Sequence, residues 1–387
     1  MKKGFLKKIL LIAPAVAIAG LLVFIFLPSN YHIRRALTHF LPKIDQYPIF
    51  DNRVVRAGNP RPWPLSADYG KAGIDKQYLD KFNELETIAF VVIRNDSLLF
   101  ENYREGYGPD SHSNSFSMAK SIVSLMVGAA IDEGLVKGVD QPVSDFLPEF
   151  GEFNGKQLTI EHLLTMSAGV DWDESYSGLF STTTKAYYGK DLPGQVMGIH
   201  QVEEPGVYFR YQSGVTQMLA LILEKATGKT LSDYASEKIW TPIGAEHDAL
   251  WSLDEKGGHE KAYCCFNSNA RDFARLGQLL LNRGEWSGVQ VVSAEYIDNA
   301  VTPAGWLIGE KGSGPNTNYG YQFWVLEKDG MEIPYLRGIN GQVVLALKDK
   351  NSVIVRLGRK RSEVRTEQNY PDDIDTWLEA GLKIIGQ

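Results

Sequence analysis

Strand-like sequence lies toward both ends of this chain and helical sequence fills the middle. Residues 88–93 form a continuous apolar run that reads as a buried strand. Asn95-Asp96 marks a turn, and residues 98–100 return as the hairpin partner. A helix with apolar residues at Ile122, Leu125, Met126, Ala129 and Ala130 starts near Ser117 and stops at Gly134. Residues 158–255 are mainly helical, with helices over 215–226 and 231–240. A further helix over 269–281 ends at Gly284. Strand character then resumes at 321–326, 342–348 and 353–357, before a last helix over about 372–385. This order predicts an α+β fold: an antiparallel sheet flanked by helices, with a mainly helical subdomain of about residues 155–255 inserted in the middle.

The N-terminus is expected to lie outside that fold. Lys2, Lys3, Lys7 and Lys8 precede an uncharged apolar run over 9–27. At 1.5 Å per residue the run approaches the ~30 Å thickness of a bilayer core. A cleaved signal peptide has a shorter apolar region, about 7–15 residues, ending at small side chains. Here the run ends in Phe24-Ile25-Phe26-Leu27-Pro28. Residues 1–30 therefore read as an uncleaved signal anchor with one transmembrane helix at about 9–27; secretion after cleavage is the alternative. The lysines before the run outweigh Arg34, Arg35 and Lys43 after it by a small margin. That bias predicts a single pass through the inner (cytoplasmic) membrane, with the body on the extracytoplasmic, periplasmic side. Residues 31–75 contain Pro42, Pro48, Pro60, Pro62 and Pro64 and are expected to form an extended arm. Residues 76–387 are the main domain.

Composition removes several function classes. A net charge of −7 is a poor match for a polyanion, so no nucleic-acid partner is expected. The two cysteines, Cys264 and Cys265, are adjacent, which leaves no stapled framework and no multi-cysteine metal site; they read as two buried thiols. Neither metal nor cofactor is expected. Dinucleotide, H-E-x-x-H and G-x-S-x-G signatures are absent.

One constellation carries chemistry. Ser117-Met118-Ala119-Lys120 is the only S-x-x-K in the chain. On its own, such a serine can equally be a helix cap with a solvated lysine nearby. At the start of an apolar helix, however, the i, i+3 spacing puts hydroxyl and amine on one face. A serine hydroxyl is a weak nucleophile until a neighbour takes its proton, which a desolvated lysine can do. The first-turn N–H groups can meet a developing oxyanion. Tyr211-Gln212-Ser213-Gly214 stands at a loop-to-helix boundary, where Tyr211 can relay protons and Ser213 can bond Lys120 or substrate. Tyr234-Ala235-Ser236 repeats the spelling inside a helix and reads as packing. Finally, Arg337-Gly338-Ile339-Asn340-Gly341-Gln342 precedes a strand, with glycines that allow close approach of a ligand.

In this order the three elements resemble the serine β-lactamase/penicillin-binding superfamily, in its class C-related branch. The segments 163–169 and 270–277 strengthen the match. Within the branch, the chain looks closest to 6-aminohexanoate-dimer-hydrolase-like enzymes. The resemblance covers roughly residues 75–386 and implies a β-lactamase/transpeptidase-like fold. It implies Ser117 as the acylated nucleophile, Lys120 and Tyr211 as its proton-transfer pair, and Ser213 in the polar position of Y-x-[NS]. It also implies an oxyanion hole from the N–H of Ser117 and one near Ile339, with Gly338 and Asn340 beside the substrate. The K-T-G of β-lactamases is replaced by Gly338-Ile339-Asn340-Gly341, and Arg337 is no substitute for an ammonium. Weak or no β-lactam turnover is therefore expected, and a small or peptide-like ester or amide is the expected substrate. A non-catalytic penicillin-binding-like module and a true β-lactamase or D,D-peptidase are the alternatives. Residues 171–176, including Trp172, are expected to cover the site.

Overall fold

The computed structural model describes residues 2–176, 178–312 and 314–386. The N-terminal helix α1 (Lys2–Phe26) carries the apolar run. Among the described residues no single helix is long and apolar enough to cross a membrane. Ala13–Phe26 and Pro28–His39 reach that length only together, as a pair bent by 78°. The stretch expected to be extended begins instead with helix α2 (Tyr31–His39), whose buried His32, Ile33 and Ala36 form one face. The prolines begin only at Pro42, beyond its end, so nothing in 31–39 opposes a helix.

The hairpin β1 (Thr87–Arg94) and β2 (Ser97–Tyr103) forms as expected. Its turn residues Asn95 and Asp96 both take the left-handed backbone (φ 49° and 56°) that tight hairpins favour. Helix α3 (Met118–Asp132) is buried from Met118 to Ala130 and runs through the centre of the molecule. Helix α4 (Ser213–Thr227) packs against it and ends at the left-handed Gly228. The stretch expected as one helix over 231–240 is a short helix, Leu231–Ala235, followed by a wider turn of helix at Ser236–Trp240. Helix α5 (Ala270–Leu281) is capped by Asn269, whose side chain accepts from the Asp272 N–H. The strands β3 (Trp324–Lys328), β4 (Met331–Gly338), β5 (Gln342–Leu347) and β6 (Ser352–Gly358) form a meander, and helix α6 (Asp373–Gly386) closes the chain. Strand β4 had no apolar run to announce it, because Glu332 and Pro334 interrupt it.

The six strands make one antiparallel sheet in the order β3-β4-β5-β6-β1-β2. The early hairpin thus joins the late meander along β6. Helices cover both faces of the sheet. A Cβ on Gly277 of α5 would meet Val353, and one on Gly381 of α6 would meet Ile354. Val353 and Ile354 are neighbours on β6, so they point to opposite faces. Both helices lie so close that an added methyl would overpack, typically a cost of about 1–3 kcal/mol.

A smaller sheet places the active-site loops. It pairs Asn52–Val55, Ala249–Ser252, Phe266–Ser268 and Ser113–Asn114 in that order. It therefore brings the segment leading into Ser117 beside the loop holding the cysteines. That pair is a correction to the expected thiols: Cys264 and Cys265 are joined as a disulfide between chain neighbours, with Cα atoms 3.8 Å apart. The sequence argument tested for separated, facing cysteines, and a ring closed within one peptide unit escapes that test.

Candidate active site

Ser117 stands one residue before α3 and does not cap it; its side chain makes no bond to the first turn. The residue before it, Phe116, is buried in a left-handed backbone (φ 45°) that costs a bulky side chain on the order of 1–2 kcal/mol. Asn114 holds this turn. Its Oδ1 accepts from the N–H of Phe116 (2.8 Å) and from that of Cys265 (3.1 Å), which is also left-handed. One buried amide thus ties the turn at Ser117 to the loop at 263–265.

Lys120 sits one helical turn on, 1% exposed. Its Nζ donates to Ser117 Oγ (3.1 Å) and to the Tyr263 carbonyl (2.9 Å). It also lies 5.0 Å from the centroid of the Tyr211 ring. Tyr211 stacks on Trp324, with centroids 5.5 Å apart and planes 28° apart. Among the described residues, none hydrogen-bonds the Tyr211 hydroxyl. Lys120, in the first turn of α3, thus meets Ser117 just before that helix and Tyr211 in the loop before α4, 94 residues after Ser117.

Glu174 organises the wall above them. It accepts from the Ser213 N–H (2.6 Å), the Ser213 hydroxyl (2.7 Å), the Trp172 indole (2.9 Å) and the Tyr176 hydroxyl (2.6 Å). Ser213, buried at the start of α4, lines the cavity beside Ser117 and donates its hydroxyl to Glu174. One expectation is corrected here. Trp172 is buried behind the wall, with its indole against Gly214, and is not part of the cavity surface.

Gly338 and Ile339 lie at the cavity as expected. A Cβ on Gly338 would reach 2.2 Å from the Ser115 carbonyl, so only glycine lets β4 pass so close to the turn at Ser117. Asn340 is a second correction, for it lines neither cavity that Ser117 lines. Its backbone turns left-handed (φ 61°), and its amide donates to the Pro42 carbonyl (3.2 Å).

Two chambers meet at Ser117, Tyr176 and Ile339. One is apolar, with walls from Leu37, Phe40, Leu41, Leu179, Tyr187 and Tyr263. Burial raises the phenol of Tyr263 well above its ordinary range, so it stays neutral. The other chamber is polar and holds Arg337, Arg361 and Arg365, with Glu310 at its edge. The Arg337 guanidinium lies 3.6 Å from the Trp324 ring centroid. Partial burial, then the nearby Arg337 and Arg361, hold Arg365 below the usual arginine range. Among the described residues neither Arg337 nor Arg365 has a carboxylate ion-pair partner. Sequence reasoning named Arg337 and the segment that holds Glu174, without giving Glu174 a role, and passed over Arg361, Arg365 and the residues from 36 to 42. The only available signal was the density of basic residues from Arg356 to Arg365.

Comparisons with known proteins agree with this geometry. The family model described as Beta-lactamase matches residues 76–374. The 6-aminohexanoate-dimer hydrolase of Paenarthrobacter ureafaciens is 28% identical over 295 residues, covering 72% of this chain and 74% of that protein. Among solved structures, a Bacillus anthracis protein named after the same dimer hydrolase superposes with a TM-score of 0.70 at 21% identity, covering 89% of this chain and 92% of its own. A family VIII carboxylesterase superposes with a TM-score of 0.63 at 16% identity, covering 83% and 98%. At such identities the structural likeness shows the fold. The family match spans Ser117, Lys120, Tyr211 and Gly338 alike. The chain belongs to the beta-lactamase family and is a serine hydrolase within it.

Proposed function

We propose that this protein cleaves an ester or amide through an acyl-enzyme on Ser117. The observation that carries the reading is the buried Lys120 amine 3.1 Å from the Ser117 hydroxyl, with the Tyr211 ring beside it. Ser117 Oγ attacks the carbonyl carbon while its proton passes to the Lys120/Tyr211 pair. The N–H groups of Ser117 and Ile339 face the developing oxyanion. Collapse breaks the bond to the alcohol or amine, which leaves with the proton held by the pair. Water then attacks the acyl carbon by the reverse relay, releasing the acid and restoring the serine. The likeness to a 6-aminohexanoate-dimer hydrolase supports a hydrolysis of this kind.

The apolar run over 9–27 supports a membrane anchor at the N-terminus, with the hydrolase body on the extracytoplasmic side. A protease-accessibility assay on intact and permeabilised cells tests this arrangement.

The catalytic reading is tested by intact-mass spectrometry after exposure to a fluorophosphonate. One adduct on Ser117 is expected, and Ser117→Ala should show neither adduct nor turnover of p-nitrophenyl acetate. An alanine variant as active as the native chain would end this assignment. With no K-T-G on β4, nitrocefin should turn over much more slowly than the ester.

A further inference from the structure

Residues 36–44 lie outside the matched family segment, which begins at 76, yet they are built into the site at three points. The Ile44 carbonyl accepts from the N–H of Asn114, the residue that holds the turn before Ser117 (2.9 Å). The Pro42 carbonyl accepts from Asn340, and the Phe40 carbonyl from the Tyr188 hydroxyl (2.6 Å). Between these ties, Ala36, Leu37, Phe40 and Leu41 face the apolar chamber. The hydroxyls of Tyr187 and Tyr263 are shut away from the lumen, leaving their rings as its wall.

We infer that this chamber takes the linear acyl chain of a membrane lipid ester, with the scissile carbonyl at Ser117 and the anionic group of the leaving half among Arg337, Arg361 and Arg365. The inference rests on the acyl-enzyme reading of Ser117 and names the substrate class for it. Three observations point the same way. The chamber is lined mainly by apolar side chains and includes the nucleophile in its wall. The chamber on the other side of Ser117 holds three guanidiniums against Glu174 and Glu310; Arg337 and Arg365 have no carboxylate ion-pair partner among the described residues and Arg361 has only a long pair to the exposed Glu363 (3.9 Å), so the pair of cavities is complementary to an amphiphile. The arm that walls the chamber continues through α2, roughly 14 Å of helix, into the exposed apolar helix Ala13–Phe26. Leu37, Phe40 and Leu41 at the mouth are 45%, 75% and 66% exposed, a surface suited to receiving a chain from a lipid phase.

The test uses the purified full chain. Across p-nitrophenyl acetate, butyrate, octanoate and decanoate, kcat/KM should rise at least about tenfold from acetate to octanoate, as each buried methylene adds affinity. Leu37→Asp and Leu41→Asp, at positions already exposed, should lower the octanoate-to-acetate ratio about tenfold. Vesicles of 1-palmitoyl-2-oleoyl-phosphatidylglycerol should release free fatty acid with the native chain and not with Ser117→Ala. Acetate turnover with a flat chain-length profile would overturn the acyl-chain assignment while leaving the hydrolase reading intact. A steep profile without release from vesicles would overturn the lipid source. Loss of every activity, acetate included, would instead strike the hydrolase reading itself.

Discussion

The two chambers that meet at Ser117 treat charge in opposite ways. The polar chamber keeps three guanidiniums in or near water, stacked or partly screened, where they cost little. Behind the apolar chamber the Lys261 amine is fully buried; its Nζ donates to the Ala186 carbonyl (3.1 Å) and lies over the face of Phe50, with the Asp254 carboxylate and the Arg35 guanidinium acting on it with opposite sign. Burial pushes its pKa down to about 7. Charge that can bind a ligand is left open on one side, while charge on the other is driven toward neutrality. The nucleophile sits where these environments join, which suits a substrate with unlike halves.

The largest effects should fall where the chambers share atoms. Ser117→Ala should abolish turnover of every ester. Lys120→Met should lower kcat by about 10²–10⁴-fold, equally for short and long acyl chains, because the amine serves the hydroxyl and neither chamber. A Lys120→Met loss confined to long chains would contradict the shared role. Next comes the wall between the chambers. Glu174→Ala leaves the buried Ser213 N–H and hydroxyl without their acceptor, while the Trp172 indole keeps Thr183, a loss of about 2–4 kcal/mol, readable as a lower urea midpoint. Glu174→Gln, which keeps an acceptor oxygen, should recover part of it.

Lys261 sharpens the contrast through pH. Its folded pKa lies below its ordinary value near 10.5, so between pH 7 and 10.5 the unfolded chain binds the extra proton. Native stability should therefore rise with pH in that window and fall as pH drops toward 7. Between pH 7 and 9 the effect is on the order of 2 kcal/mol. Lys261→Met should flatten that slope and raise Tm most at neutral pH; an unchanged slope would show the amine to be solvated. The smallest effect belongs to the open side. Arg337→Met should raise KM about tenfold for an ester with an anionic leaving group, and much less for a neutral one of equal length.

Much of this architecture could be read locally. Apolar runs, the Asn95-Asp96 turn and glycine stops located β1, β2, α3 and α4, and the spacing from Ser117 to Lys120 put both groups on one helical face. Strand β4 escaped because Pro334 and Glu332 break the alternation on which a strand assignment depends. The site divided in the same manner. Lys120 was expected at Ser117 and lies there, and Ser213 lines the cavity, whereas Asn340 and Trp172 were assigned to the substrate and instead bond the arm and Glu174.

What the sequence determined by itself was whatever a few consecutive residues settle through backbone periodicity: the strand and helix order, and a hydroxyl and an amine one helical turn apart. It took the packing of distant segments to settle that residues from 36 to 42 wall the cavity, that Glu174 governs Ser213, and that guanidiniums from β4 and the loop after β6 converge. Each of these depends on contacts between segments far apart in the chain, and such contacts follow from how whole layers pack rather than from any local pattern.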